Sequence, residues 1–494
     1  MRPLTHTGPA PTRRTLLGAA GAAVAGTAIG AALTPATAFA APAPAVRNTR
    51  PSTSRTAEPL PSDAAVARQV RDEFLHGWHG YTAKAWGYDQ VCPVSGTHND
   101  FFAPGTTFGL SIVEALDTLY VMGEDAELAR GCDWIEAHFD PTQDVDVHVF
   151  EAIIRMVGGL LAGYLATGRP KLLSLCRELT DRLLPAFTAS PTGIPYTYVN
   201  LGTGAVSGSS VPLAEVGTNI MEFGLLSKLT GDSRYHDASM RAYQVAMGKR
   251  SSLDLMGTTL DAETGRWTDP SSVAPNPPVD SFYEYLWGGY ALLGDRRLLD
   301  WYRLLTAAIL RHQADRSTGT LWFRQVDPTT GEATGTAQSE LAAFYAGLLG
   351  KGGDTADGAA YYRSWSAVLD QHPVLPEGID YTTLAVTDKG NQLRPEYANS
   401  SFDLWRITGD ASYKRTAYQY FTGMRDNLRV AGGYTIANDV TTAPMALGDL
   451  TPAYWFAENL KYVYLTFAHS PRFDYRGGLL STEGKILRGL VRGR

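Results

Sequence analysis

Phe150-Glu151-Ala152-Ile153-Ile154-Arg155-Met156-Val157-Gly158-Gly159-Leu160-Leu161-Ala162-Gly163-Tyr164 is apolar on nearly every helical face and carries two charges. Glu151 and Arg155 stand four residues apart, so a helix puts them on one face, one turn apart. A surface helix shows a polar stripe; this stretch shows none, which predicts a buried helix. Burying a carboxylate is costly unless it is paired or used. Two readings follow: a structural ion pair inside a core, or a site carboxylate oriented by an arginine.

Working outward, Asp144–Phe150 shows the clearest strand-like alternation in a sequence that otherwise reads as helical from about residue 63. Apolar helical runs end at a recurring glycine: Gly123, Gly168, Gly231, Gly294, Gly353 and Gly409, spaced 45 to 63 residues apart. Each glycine can close one helix in the left-handed conformation, and the acid or serine after it can cap the next. Leu229-Thr-Gly-Asp-Ser-Arg-Tyr235 and Ile407-Thr-Gly-Asp-Ala-Ser-Tyr413 are nearly one motif. A period of about 60 residues holds a helical hairpin and its loops, so the chain should contain about seven hairpins. Acids and aromatics spread over every repeat favour a closed toroid around a shared cavity over an open solenoid.

Residues 1–40 read as an export signal. Thr12-Arg13-Arg14-Thr15-Leu16-Leu17 precedes an Ala/Gly-rich run to Leu33, and Ala38-Phe39-Ala40 offers a cleavage site. The arginine pair resembles a twin-arginine signal. Residues 41–62 are rich in Pro, Ala, Ser and Thr, as a linker is. That leaves 63–494 as one domain, expected to be secreted, free of the membrane after signal removal, and monomeric. The formal net charge is −7, or −10 without the three arginines of residues 1–40, which argues against nucleic acid as a partner. Three cysteines, Cys92, Cys132 and Cys176, allow at most one disulfide and show no metal-ligand spacing.

Further acids fall where loops meet helices. Asp280 follows the loop Ala274–Pro278, Glu396 follows Leu393-Arg394-Pro395, and Glu215 and Glu222 begin an apolar stretch. Helix-end electrostatics alone would account for each one. A ring of helices would instead converge Glu151, Asp280 and Glu396 on one cavity, and glycoside hydrolysis needs such carboxyl groups. Glu458-Asn-Leu-Lys461-Tyr-Val-Tyr-Leu465 reads as an amphipathic helix with an acid at its start. Ser481-Thr482-Glu483 offers oxygen ligands that suit Ca²⁺ over Zn²⁺, although surface acids are commoner than calcium sites.

Several ordered blocks resemble the class I α-mannosidases of glycoside hydrolase family 47. They are Ala85–Asp89, Phe108–Tyr120, Phe150–Tyr164, Ala214–Thr218, Asp280–Tyr285, Leu393–Glu396 and Ala457–Tyr462. The resemblance implies an all-α fold, an (α/α)₇ barrel with minor β-hairpin loops, and an inverting exo-mechanism on terminal α-1,2-linked mannose of oligosaccharides or glycoprotein glycans. It implies Glu151 as general acid, Glu396 as base and Asp280 as a supporting carboxylate. Arg155 would orient Glu151, and Tyr454 would stack on the sugar. Glu114, Glu215, Arg394 and Glu458 would join Arg155 and Tyr454 in binding substrate. Ca²⁺ at the base of the barrel would take Thr482 directly, with Glu458 and Glu483 holding its waters. The chain departs from the family at Glu114 (usually Asp), Asn399 (usually Glu), Ser339-Glu340 (usually Glu-His), Ala343 (usually Cys), Pro452 (usually an acid) and Ser481–Ile486, where the family pattern is Asn-Thr-Glu-Ala-His-Pro. Those departures keep a non-catalytic mannose-binding protein of the same fold as the alternative.

Overall fold

The computed structural model describes residues 60–470 and 472–491; the expected signal and nearly all of the expected linker lie outside the described residues. Fourteen main helices follow in chain order: α1 Asp63–Lys84, α2 Leu110–Met122, α3 Asp125–His138, α4 Val149–Thr167, α5 Pro170–Leu183, α6 Ile220–Thr230, α7 Arg234–Met247, α8 Asp280–Leu293, α9 Arg296–His312, α10 Tyr345–Gly352, α11 Thr355–Leu369, α12 Glu396–Thr408, α13 Ser412–Leu428 and α14 Asn459–Phe467. The even-numbered helices form an inner ring and the odd-numbered ones an outer ring, the (α/α)₇ barrel.

Sequence explains which helix goes where. In α2 all thirteen residues are buried, as a helix without a polar stripe must be. In α4, 19 residues long with mean hydropathy 1.6, 89% is buried; by length and composition it could cross a membrane, and here it is a core helix. The outer α5 buries only Leu172, Leu175, Cys176, Leu179, Thr180 and Leu183, the one-sided stripe of an amphipathic helix. Each fully buried leucine on such a stripe contributes about 1.5–3 kcal/mol. Inner neighbours pack closely: a Cβ on Gly159 of α4 would come within 2.6 Å of the Val113 carbonyl of α2. The ring closes between α14 and α2, where Thr118 Oγ1 donates to the Ala457 carbonyl at 3.3 Å and Lys461 meets Asp117 at 2.8 Å.

The recurring glycines do what their spacing predicts. Gly123, Gly168, Gly231, Gly294, Gly353 and Gly409 all have φ between 72° and 106° and end inner helices. Strands are short and lie in hairpins or three-stranded sheets. Two sheets lead directly into inner-ring helices: Asp146–His148 into α4, and Ser210–Pro212 into the turn Leu213–Gly217 before α6. Glu215 and Glu222 therefore belong to two helical pieces broken at Thr218-Asn219, and not to one helix start. The stretch from Glu458 is a second correction. The helix exists, but it is buried on nearly all sides rather than amphipathic, and its Lys461 is wholly enclosed. All three cysteines are free thiols.

Candidate active site

The acids singled out in sequence gather at one end of the inner ring. Glu151 is the third residue of α4, Asp280 and Glu396 are the first residues of α8 and α12, Glu215 lies in the turn before α6, and Glu458 immediately precedes α14. Helix N-termini carry partial positive charge, which favours carboxylates there. Glu151 is fully enclosed and Glu396 is buried, whereas Asp280 is partly exposed.

Glu151 is held at one oxygen. Arg155 Nε donates to its Oε2 at 2.7 Å, while Oε1, also buried, has no hydrogen-bond partner among the described residues. Residues Ala152–Val157 form a π-helical turn, and Arg155 lies within it. Such single π turns inside α-helices recur at functional sites. Arg155 Nη1 reaches Glu114 Oε1 and Glu483 Oε2, each at 3.0 Å. Burial opposes the guanidinium charge, yet Glu151, Glu483 and Glu114 together hold its pKa above the ordinary value. Glu114 also receives the ammonium of Lys485. Burial pushes the Glu114 carboxyl pKa up, but Lys485 and Arg155 outweigh it and the net shift is downward.

The Glu396 side is tied to the same centre through Tyr454. The Arg155 guanidinium lies 5.4 Å from the Tyr454 ring centre and that of Arg394 lies 5.9 Å from it. Arg394 Nη1 donates to the Tyr454 hydroxyl at 3.4 Å, and its Nε lies 3.0 and 3.1 Å from the two oxygens of Glu377. Two residues past Arg394 comes Glu396. Leu393, at φ 59°, adopts the left-handed backbone that a branched residue rarely takes. Asn391 accepts from its N–H and Asn459 donates to its carbonyl, both at 2.8 Å, so the neighbourhood enforces the strain.

Thr482 and Glu483 sit in the tip of a hairpin formed by Leu479–Leu480 and Ile486–Arg488. Besides the contacts of Glu483 and Lys485, Ile486 N donates to Asp117 Oδ2 at 2.7 Å, and the Thr482 backbone interacts with the Tyr285 hydroxyl. The tip thus touches α2, α4 and α8, while Leu479, Leu480 and Arg488 of its strands line a cavity with Gly294, Gly350 and Ile407 at the C-terminal ends of inner helices. Tyr285 donates to Glu222 Oε1 at 2.7 Å, and the other oxygen of Glu222 is buried with no hydrogen-bond partner among the described residues. Burial, with smaller contributions from Glu284 and Glu483, lifts the Glu222 pKa to about 8. Among the described residues no group of three or more His, Cys, Asp or Glu forms a ready-made metal cage.

Three functional features escaped the sequence reading. Lys485 and Lys461 resemble surface lysines locally and are both buried ion-pair partners. Glu377 clamps Arg394 from 17 residues away. His148 Nδ1 faces the Glu151 N–H at 3.5 Å while its Nε2 lies 3.4 Å from Glu215 Oε1. That pair of contacts fits a neutral ring protonated at Nε2. A cavity of about 780 Å³, lined in part by Trp287, Lys351, Asp403 and Arg476, opens at the C-terminal ends of α8, α10 and α12 and contains none of the three central carboxylates.

Known proteins resemble this chain in sequence and in fold. Alpha-mannosidase I MNS5 of Arabidopsis thaliana is 33% identical over 446 residues, covering 85% of this chain and 76% of the relative. Mannosyl-oligosaccharide 1,2-alpha-mannosidase IB of Homo sapiens is 31% identical over 464 residues, covering 88% and 71%. The solved alpha-1,2-mannosidase from Trichoderma reesei superposes with a TM-score of 0.78 at 26% identity, over 86% of this chain and 98% of its own. The sequence model of glycosyl hydrolase family 47 matches residues 73–489, from within α1 to the end of the terminal hairpin, and this chain belongs to that family of glycoside hydrolases.

Proposed function

We propose that this protein is an exported, calcium-dependent, inverting exo-α-mannosidase that removes terminal α-1,2-linked mannose from oligosaccharides or glycoprotein glycans, acting as a monomer. The observation that carries the reading is Glu151: one oxygen clamped by Arg155, the other with no hydrogen-bond partner among the described residues, in an enclosed site at the mouth of the inner ring. A carboxyl group in that state can hold a proton at Oε1 and give it to a departing glycosidic oxygen. Glu396, buried at the N-terminus of α12, serves as the base that takes a proton from the attacking water. Asp280, less enclosed, supports the charge that develops between them. Tyr454, set between two guanidiniums, offers an aromatic face to the sugar. The names of the relatives support α-1,2-linked mannose as the substrate, and the arginine pair Arg13-Arg14 supports export.

The residues around Thr482 fit a hard cation. Glu284 and Glu483 are near enough to raise the proton affinity of Glu222, and a buried oxygen of Glu222 has no donor among the described residues. Oxygen donors of this kind suit Ca²⁺. Thr482 would hold the ion directly, with Glu458 and Glu483 holding its water ligands, and the bound ion would supply positive charge and coordination for sugar hydroxyls.

Hydrolysis of α-1,2-, α-1,3- and α-1,6-mannobiose, with NMR of the first product anomer, tests the proposal. It expects cleavage of the α-1,2 isomer with release of β-mannose. Binding of that disaccharide without cleavage would replace the enzyme by a mannose-binding protein, the reading that the altered positions Asn399 and Pro452 favour.

A further inference from the structure

Arg155 has one guanidinium and serves three enclosed carboxylates, those of Glu151, Glu114 and Glu483. Charges of one sign in so dry a space repel strongly, and the guanidinium settles on whichever carboxylate is least neutralised elsewhere. Lys485 decides that competition. Its ammonium is wholly enclosed and bonds the Glu114 carboxylate, with a second bond to the Glu114 carbonyl at 2.9 Å. It takes Oε2 of Glu114 and leaves only Oε1 to Arg155.

The hairpin tip delivers Lys485 to this point rigidly. The Gly484 carbonyl on one side accepts from Lys461 Nζ at 2.6 Å, and the Ile486 N–H on the other donates to Asp117 at 2.7 Å. Ser481 Oγ accepts from the Lys485 N–H at 3.2 Å, and the Lys485 carbonyl accepts from Ser481 N at 2.9 Å. The lysine stem passes over Gly158, where a Cβ would approach its Cγ to 3.2 Å.

We propose that Lys485 is a positioning residue for the acid Glu151, acting through Glu114 to keep Arg155 on Glu151; the inference rests on the role proposed above for Glu151. The test uses K485M and the double variant E114Q/K485M, which removes the carboxylate that Lys485 neutralises. K485M should lower kcat on α-1,2-mannobiose by about tenfold or more with KM little changed, and the double variant should recover most of that loss. A double variant no faster than K485M would overturn the proposal, because lost packing is not restored by a second truncation. If K485M does not fold, the comparison is the folded double variant against the wild type, and a kcat still tenfold down, or a double variant that also fails to fold, overturns the proposal. Crystal structures of the same proteins read the Arg155–Glu151 contact without turnover. The contact should open in K485M and close again in the double variant, and a contact unchanged in K485M contradicts the proposal. A wild-type protein that never cleaves mannobiose would remove the proposed function, while these structures would still decide the role of Lys485.

Discussion

Two charged regions share the interior of the inner ring, and they are balanced differently. On the α2–α4 side every acid meets a protein cation: Glu151 and Glu483 take Arg155, Glu114 takes Arg155 and Lys485, and Asp117 takes Lys461. On the α6–α8 side Glu222 accepts from the Tyr285 hydroxyl, and Lys351 lies 3.9 Å from Glu284 and 3.0 Å from Asp403. The consequence is visible in the proton affinities, lowered for Glu114 and raised to about 8 for Glu222. The first region is organised by the protein's own charges before any ligand arrives. In the second, Glu222 meets a hydroxyl where the acids of the first meet cations, and a divalent ion would change most there.

The comparison breaks most severely at Arg155. Arg155→Met leaves three enclosed carboxylates without their shared cation and should cost about 3–5 kcal/mol, with hydrolysis lost as well. Thermal or urea unfolding measures it, and a variant as stable as wild type would show that the region is not charge-organised. Glu396→Gln leaves both regions intact and removes only the proposed base. Turnover should fall by about 10²–10⁴-fold while mannose binding persists, since an amide cannot take the proton. An active variant would remove Glu396 from that role.

Chelation tests the proposed ion. If Ca²⁺ is bound at Thr482, removing it should lower the unfolding temperature, by the equivalent of about 2.7 kcal/mol for an ion present at a hundred times its Kd. An unchanged melting temperature and rate after EDTA treatment would assign the carboxylates around Thr482 another role. The last effect concerns pH. Because the folded pKa of Glu222 is raised from its ordinary value of 4.5 to about 8, its contribution to stability in the metal-free protein is full below 4.5. It is lost as pH rises through 8. Glu222→Gln should flatten that decline, seen as melting temperatures measured from pH 4.5 to 8.5; equal slopes would show that Glu222 does not carry it.

Much of the barrel is legible locally. The glycines that end inner helices can be read from single positions because a left-handed C-terminus favours the residue without a Cβ. The buried nature of α4 follows from its missing polar stripe, and Glu151–Arg155 follows from helical spacing. The terminal hairpin does not. Its contacts with Glu114 and Arg155 span 371 and 328 residues of chain, and no local pattern records them. Lys461 and Lys485 were unreadable for the opposite reason: an isolated lysine in a helix or turn is ordinarily a solvated one, and only the acids of α2 make burial of these two tolerable. The π turn of α4 and the left-handed Leu393 are likewise imposed by packing, since neither has a residue type that announces it.

The central claim is that Glu151 gives a proton and Glu396 takes one. Kinetics of Glu151→Gln on two substrates test it most directly: α-1,2-mannobiose, whose leaving group needs a proton, and α-mannosyl fluoride, whose leaving group does not. The account predicts a loss of about 10²–10⁴-fold on the disaccharide with the fluoride cleaved at close to the wild-type rate. Equal losses on both substrates would contradict it.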